Sequence, residues 1–269
     1  MSAEAIIEVD DLVARYGDAT ILEHVDFSVR RGEIFVIIGA SGCGKSTLMR
    51  HMIGLDRPWS GTVKIEGVDI HSSGPQFRVA LQKIGVLFQN SALFGSMTLA
   101  ENVALPIAEY SRLPAGLVDQ LVRMKLCMVE LSGFEAHLPS EISGGMKKRA
   151  ALARAMALNP EILFLDEPTS GLDPVISAEI DHLIRHINES LGTTMVIVTH
   201  DLGSILNIAD RAIMLDKGRR GIIAEGDPRQ LRKNPGHEDV RRFFHREARS
   251  ESLPRKLLAA SMPEMKKPS

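Results

Sequence analysis

Cysteine is scarce in this chain of 269 residues. Cys43 and Cys127 are the only two, far apart and in no metal-ligand spacing, so neither a zinc site nor a disulfide framework is expected and a reducing compartment fits. Long apolar runs are missing too: no stretch reaches the ~20 residues that a membrane-spanning helix needs. The opening MSAEAIIEVDD is acidic, with no basic region and no long apolar segment, which argues against an ordinary signal peptide. Net charge is also small, a formal −2, so no nucleic-acid partner is expected. The balance is uneven, because from Pro228 onward 11 Lys and Arg stand against 5 Asp and Glu. No internal repeat or low-complexity block interrupts the chain.

With 44% hydrophobic residues there is enough material for one large α/β domain with an appendage. Ile6 to Val13 is rich in β-branched residues, and Val25, Phe27 and Val29 alternate with polar neighbours, so an antiparallel β region opens the chain. Ile34–Ile38 (IFVII), Ile84–Phe88, Ile162–Leu165 and Met195–Val198 are short, apolar runs separated by helical patterns such as Val175–Leu191, the signature of a mostly parallel sheet covered on both faces. Between Thr98 and Pro139 the β signal disappears. Leu117, Leu121, Met124 and Met128 recur there at helical spacing, with Pro106 and Pro114 as breaks, so a helical subdomain, about 98–157, is expected inside the core. Met52, Met124, Met128 and Met156 are read as helical core. Asp227 and Pro228 open a further helix, and the basic segment after Pro228 has three readings: a helix ending near Ala248 that packs on its own domain, an arm that reaches across to a second copy, or a segment drawn to anionic lipid headgroups; residues 249–269 form a polar, basic tail beyond a domain spanning 1–248.

Gly39-Ala40-Ser41-Gly42-Cys43-Gly44-Lys45-Ser46 matches G-x-x-x-x-G-K-[ST] after a strand and before a helical pattern. Such a loop turns backbone N–H groups around phosphate oxygens. Lys45 then neutralises the β- and γ-phosphates, Ser46 reaches Mg²⁺, and Thr47 beside it joins the nucleotide contacts. Cys43 is a loop position without a redox role. Asp166-Glu167 follows the buried Ile162–Leu165 run, at the strand end where ligands of parallel sheets sit. Asp166 is assigned to Mg²⁺ and Glu167 to general-base attack on the γ-phosphate. An Asp-Glu pair could merely cap the next helix, a reading weakened by the phosphate loop upstream.

These residues define a phosphate-loop NTPase without saying which. Ile142-Ser143-Gly144-Gly145-Met146-Lys147-Lys148-Arg149 resembles the LSGGQ signature of ATP-binding cassette (ABC) ATPases, and the similarity runs from Ile6 to about Gly226. The resemblance implies a P-loop cassette in which Tyr16 stacks on adenine, Gln89 is the glutamine loop and a Mg²⁺ contact, Ser170-Gly171-Leu172-Asp173 follows the acidic pair, and His200 senses the γ-phosphate. It also implies that Ser143, Gly144 and Gly145 face the nucleotide of a second cassette. Two identical chains, head to tail, would then form two composite ATP sites. Taken alone, Tyr16 could be a strand-edge aromatic and Gln89 a loop start, and the other eight histidines are read as surface residues.

A small-molecule kinase lacks the SGG segment, ABC translation factors carry two cassettes per chain, and chromosome-maintenance ATPases need long coiled coils. A transporter motor working through membrane-spanning permease subunits remains. Met146, where most cassettes have glutamine, together with Thr98–Pro106 and Met124-Lys125-Leu126, is similar to the Mla- and Mce-associated lipid transporters. That similarity implies phospholipid transport between inner and outer membranes, a place on the cytoplasmic face of the inner membrane, and a Mce-domain lipid-binding protein and a small cytoplasmic accessory subunit as further partners. A cassette for another substrate, such as an amino-acid importer or a lipoprotein-release complex, stays open, since Met146 does not select cargo.

Overall fold

In β3 (Ile34–Gly39) every residue is apolar or glycine and every one is buried, because successive side chains point to opposite faces and both faces are covered. The computed structural model describes residues 4–73 and 75–247. In chain order, β1 (Ala5–Tyr16) and β2 (Ala19–Arg30) precede β3, and α1 (Lys45–Met52), β4 (Ser60–Ile65), β5 (Val68–Asp69), α2 (Pro75–Gln82) and β6 (Ile84–Leu87) follow it. Then come α3 (Leu99–Tyr110), α4 (Ala115–Met128), α5 (Gly144–Ala155), β7 (Ile162–Asp166), α6 (Pro174–Leu191) and β8 (Thr194–Val198). The described chain closes with α7 (Leu202–Ile208), β9 (Arg211–Asp216), β10 (Gly221–Gly226), α8 (Pro228–Lys233) and α9 (Glu238–His245).

Two sheets result. An antiparallel one has the order β2-β1-β4-β5, and the core sheet has the order β10-β9-β3-β8-β7-β6. Within the core sheet β9, β3, β8, β7 and β6 are mutually parallel, and only β10 runs antiparallel on the edge. One face, through Val36, Ile38, Leu163, Leu165, Met195 and Ile197, packs on the helices from α3 to α7. The other, through Phe35, Ile37, Phe164, Val196 and Val198, packs on α1 and the antiparallel sheet. Full burial of an aromatic such as Phe35 or Phe164 contributes on the order of 1.5–3 kcal/mol each. These two layers hold the carboxyl ends of β3, β7 and β8 at one edge, where the site lies.

The helical insertion departs from expectation in two ways. Pro106 does not break α3 but lies inside it. The helix tolerates the lost donor because its start is over-secured. Thr98 and Glu101 form a capping box, the Leu99 and Ala100 N–H groups donate to His137 and Glu135 carbonyls, and buried Asn102 bonds Phe94, Met97 and Thr98. On α4 the buried side chains are Val122, Lys125 and Leu126, not the expected stripe. Leu117 is 47% and Met124 46% exposed, and Leu121 and Met128 are half-buried. The helix has apolar residues on two faces, and the one packed inward is a residue out of step with the one that the spacing suggested. His51 likewise is a buried residue, its Nδ1 2.8 Å from the Asp56 carbonyl, and not a surface histidine. Asp227 and Pro228 do open a helix, but it stops at Lys233 and a second one, α9, ends at His245, while the expected tail, 249–269, lies outside the described residues.

Candidate nucleotide site

The phosphate loop leaves β3 at Gly39, whose φ of 145° only glycine adopts readily; a Cβ there would also come within 2.4 Å of the Leu215 carbonyl and 2.6 Å of Cys43 Sγ. Gly44 (φ 102°) caps α1, so the loop residues wrap around the positive end of that helix. A cavity of about 650 Å³ opens there. It is lined by Gly39–Gly42, Gly44–Thr47, Gln89, Glu167, His200 and Phe243. Cys43 is buried beneath the loop, and burial pushes its thiol pKa up, away from reactivity. Lys45 Nζ donates to the Gly39 and Ala40 carbonyls at 2.9 and 3.1 Å, folded back over the loop.

Of the acidic pair, Glu167 lines the cavity and Asp166 does not. Asp166 ends β7, and its Oδ1 is buried without a hydrogen-bond partner. Burial, reinforced by the neighbouring Glu167, holds the Asp166 carboxyl above the usual carboxylate range, while Lys148 and Lys45 oppose that rise. A buried, unsatisfied carboxylate oxygen within electrostatic reach of Lys45 of the phosphate loop is a site that a divalent cation would complete. Among the described residues no group of three or more His, Cys, Asp or Glu could hold a metal ion by itself. Glu167 Oε1 lies 2.7 Å from His200 Nδ1, and the imidazole is exposed while the carboxylate is nearly covered. The Glu167 backbone adopts φ 48°, in the left-handed region, with its N–H donating to the Val198 carbonyl.

Tyr16 lies beside this cavity without lining it. Half-exposed at the end of β1, its hydroxyl donates to Asp56 Oδ2 at 2.8 Å, and Arg50 pairs with both Asp56 oxygens, holding that carboxyl at about 2. Like Asp166 and Cys43, Ser143, Gly144, Gly145 and Asp173 also lie outside the cavity lining. The Ser143 hydroxyl caps α5, accepting from Met146 N at 3.3 Å, and Asp173 caps α6 through Val175 and Ile176. Ser143 and Gly144 face outward. Gly145 is buried, and a Cβ there would meet Ile176 Cγ2 at 2.7 Å, so its smallness serves helix packing.

Two contributors escape sequence reasoning. Phe243 reaches the cavity from α9, more than forty residues beyond His200. Lys148, buried on α5, donates to the carbonyls of Gln89 (2.5 Å) and Glu167 (2.9 Å). Burial lowers its pKa, and the Asp166 and Glu167 carboxylates counter that drop.

The family profile described as "ABC transporter" matches residues 22–170, and one described as "AAA domain, putative AbiEii toxin, Type IV TA system" matches 135–206. The intermembrane phospholipid transport system ATP-binding protein MlaF of Haemophilus influenzae is 41% identical over 84% of this chain and 85% of its own length. A probable ribonucleotide transport ATP-binding protein, mkl, of Mycobacterium bovis is 40% identical over 89% of this chain and 66% of its own, and a sulfate/thiosulfate import ATP-binding protein, CysA, of the same species is 40% identical over 88% and 66%. Among solved structures, the dimeric post-hydrolysis state of the ATP-binding cassette MJ0796 with ADP and Pi superposes with a TM-score of 0.74 at 31% identity, covering 82% of this chain and 98% of that one. CbiO1 of Clostridium perfringens, part of the ABC transporter complex CbiONQ, gives 0.78 at 28% identity over 96% and 100%. With its strand, loop and acidic pair in place and these matches across most of its length, the chain belongs to the ABC transporter family, as an ATP-hydrolysing cassette that uses ATP and Mg²⁺.

Proposed function

We propose that this cassette drives phospholipid transport between the inner and outer membranes. It would act as a homodimer held on the cytoplasmic face of the inner membrane by permease subunits, with a Mce-domain protein and a small cytoplasmic subunit completing the complex. The observation that carries the lipid reading is the nearly end-to-end match to the MlaF relative, 85% of whose length is covered, against 66% for the ribonucleotide and sulfate proteins of almost equal identity. Among the described residues no helix is long and apolar enough to cross a membrane, so attachment would go through partners. A cleft of about 910 Å³, lined by Leu81, Phe88, Phe94, Pro106 and Tyr110 among others, borders the Gln89 segment and would seat a short permease helix.

In this reading Lys45 turns from its carbonyl partners to the β- and γ-phosphates, and Tyr16 stacks on adenine. Ser46, Gln89 and Asp166 would hold Mg²⁺, which neutralises phosphate charge; the orphaned Asp166 Oδ1 supports that role. Glu167 accepts the proton of the attacking water as the γ-phosphoryl group leaves ADP, and His200, within 2.7 Å, orients the carboxylate and meets the γ-phosphate. Ser143 and Gly144, exposed at the N-terminus of α5, present hydroxyl and N–H groups to the partner's nucleotide, with Gly145 letting α5 pack closely behind them and Asp173 lying at the dimer face.

The test is purification of the tagged chain with its partners from membranes, followed by mass spectrometry of co-purifying proteins and lipids. A permease, a Mce-domain protein and phospholipid are the expected companions; a sulfate or nucleotide permease overturns the lipid reading.

A further inference from the structure

Lys148 lies in the second turn of α5, the helix whose first turn carries Ser143 and Gly144 at its exposed end. A buried ammonium is costly unless its N–H groups are used, and here they are aimed at two segments remote in sequence. Its Nζ donates to the Gln89 carbonyl at 2.5 Å and to the Glu167 carbonyl at 2.9 Å, and it reaches Ser170 Oγ at 3.5 Å. The Ser170 hydroxyl in turn donates to the same Glu167 carbonyl at 3.0 Å. Further along the helix, Arg154 donates to the Ser91 and Ala92 carbonyls at 2.9 and 2.7 Å, so α5 grips the 89–92 segment at both ends. Glu167 needs such a grip, because a glutamate at φ 48° sits in a region that L side chains visit at a cost.

We infer that Lys148 is a positioning residue, a three-donor clamp that ties Gln89 and Glu167 of one nucleotide site to the helix whose tip serves the other. Movement of α5 as Ser143 and Gly144 engage the partner's nucleotide then sets the Glu167 carboxylate of this chain's own site. The inference rests on the reading of Glu167 as general base. It concerns backbone carbonyls, so the clamp acts on alignment and leaves the phosphate-binding groups of the loop untouched.

The experiment uses the full-length chain. ATP turnover gives kcat and KM, a fluorescent ATP analogue gives affinity, and melting temperature reports folding, for Lys148→Met, Lys148→Gln, Glu167→Gln and the double variant Lys148→Met/Glu167→Gln. Lys148→Met should lower kcat about 10- to 100-fold with KM and affinity within about threefold. Lys148→Gln, which keeps two N–H donors, should recover most of the loss. In the Glu167→Gln background, Lys148→Met should add less than about twofold, since the group that it positions is already gone. Turnover of Lys148→Met within about twofold of the unmodified chain, with Glu167→Gln slow, overturns the inference alone. Glu167→Gln at the unmodified rate overturns the general-base reading and the inference together. A fall in kcat, affinity and melting temperature in step, without rescue by glutamine, makes Lys148 a packing residue and also overturns it.

Discussion

Around the nucleotide cavity two groups are held by elements far apart in the chain: Glu167 by Val198, Lys148 and His200, and the Gln89 segment by two side chains of α5. Along the outer face of α4, Leu117 and Met124 stand half in solvent, without a buried contact set of their own. The first region is over-determined and should respond to single-atom changes; the second should tolerate them. That contrast separates a catalytic edge, built for fixed geometry, from a solvent-facing flank.

The sharpest way to break the contrast is Glu167→Gln, which keeps shape and removes basicity. Turnover should fall by ~10² or more while ATP still binds, as followed by phosphate release and nucleotide affinity. Mixing Lys45→Ala with Ser143→Arg chains comes next. Either variant alone lacks an intact composite site, whereas mixed dimers regain one, so partial recovery of hydrolysis in the mixture is expected, and full activity of either parent would remove the composite site from the account. Gly145→Ala should cost about 1–3 kcal/mol in a denaturant titration, because its Cβ meets Ile176. Gly144→Ala, with only Leu172 Cδ2 at 3.5 Å, should leave stability nearly unchanged.

Asp181 probes the buried side of α6. Burial raises its carboxyl to about 6 from the ordinary 3.8, and its Oδ1 lacks a partner. The folded state therefore binds the proton more tightly than the unfolded chain, and this residue's contribution to stability declines as pH rises from about 4 to about 6. Asp181→Asn should remove that decline, leaving the variant more stable on the order of 1–3 kcal/mol at pH 8 and no better at pH 4, read from melting temperature against pH. The smallest effect closes the comparison: Val122→Ala, on the buried face of α4, should cost about 1–3 kcal/mol and Met124→Ala less than about 0.5 kcal/mol.

The catalytic edge was far more legible in the sequence than the flank. Gly39–Ser46 and Asp166-Glu167 could be read because their chemistry is contiguous: each is a loop or strand end whose function depends on immediate neighbours. The sheet was legible for a similar reason, since a strand buried on both faces has no polar position to disguise it. Lys148 was not, because its partners lie 59 and 19 residues away and a lysine inside Lys-Lys-Arg reads as solvated charge. Phe243 belongs to a helix with no local link to the phosphate loop. On α4, apolar residues on two faces gave the periodicity two solutions, and only packing against α3 and α5 selects Val122 and Leu126. Pro106 failed as a breaker because the capping box, the Asn102 network and the burial of Val103 and Ile107 outweigh one missing donor.

The aromatic that α9 brings to the cavity has an optical consequence. The chain contains a single tryptophan, Trp59, 68% exposed on the antiparallel side, and Phe243 lines the nucleotide cavity. Replacing Trp59 by phenylalanine would darken the background of the whole cassette, and Phe243→Trp would then place the only indole at the mouth of the site. Its emission would follow nucleotide arrival and phosphate departure in real time, without a label, in the isolated cassette.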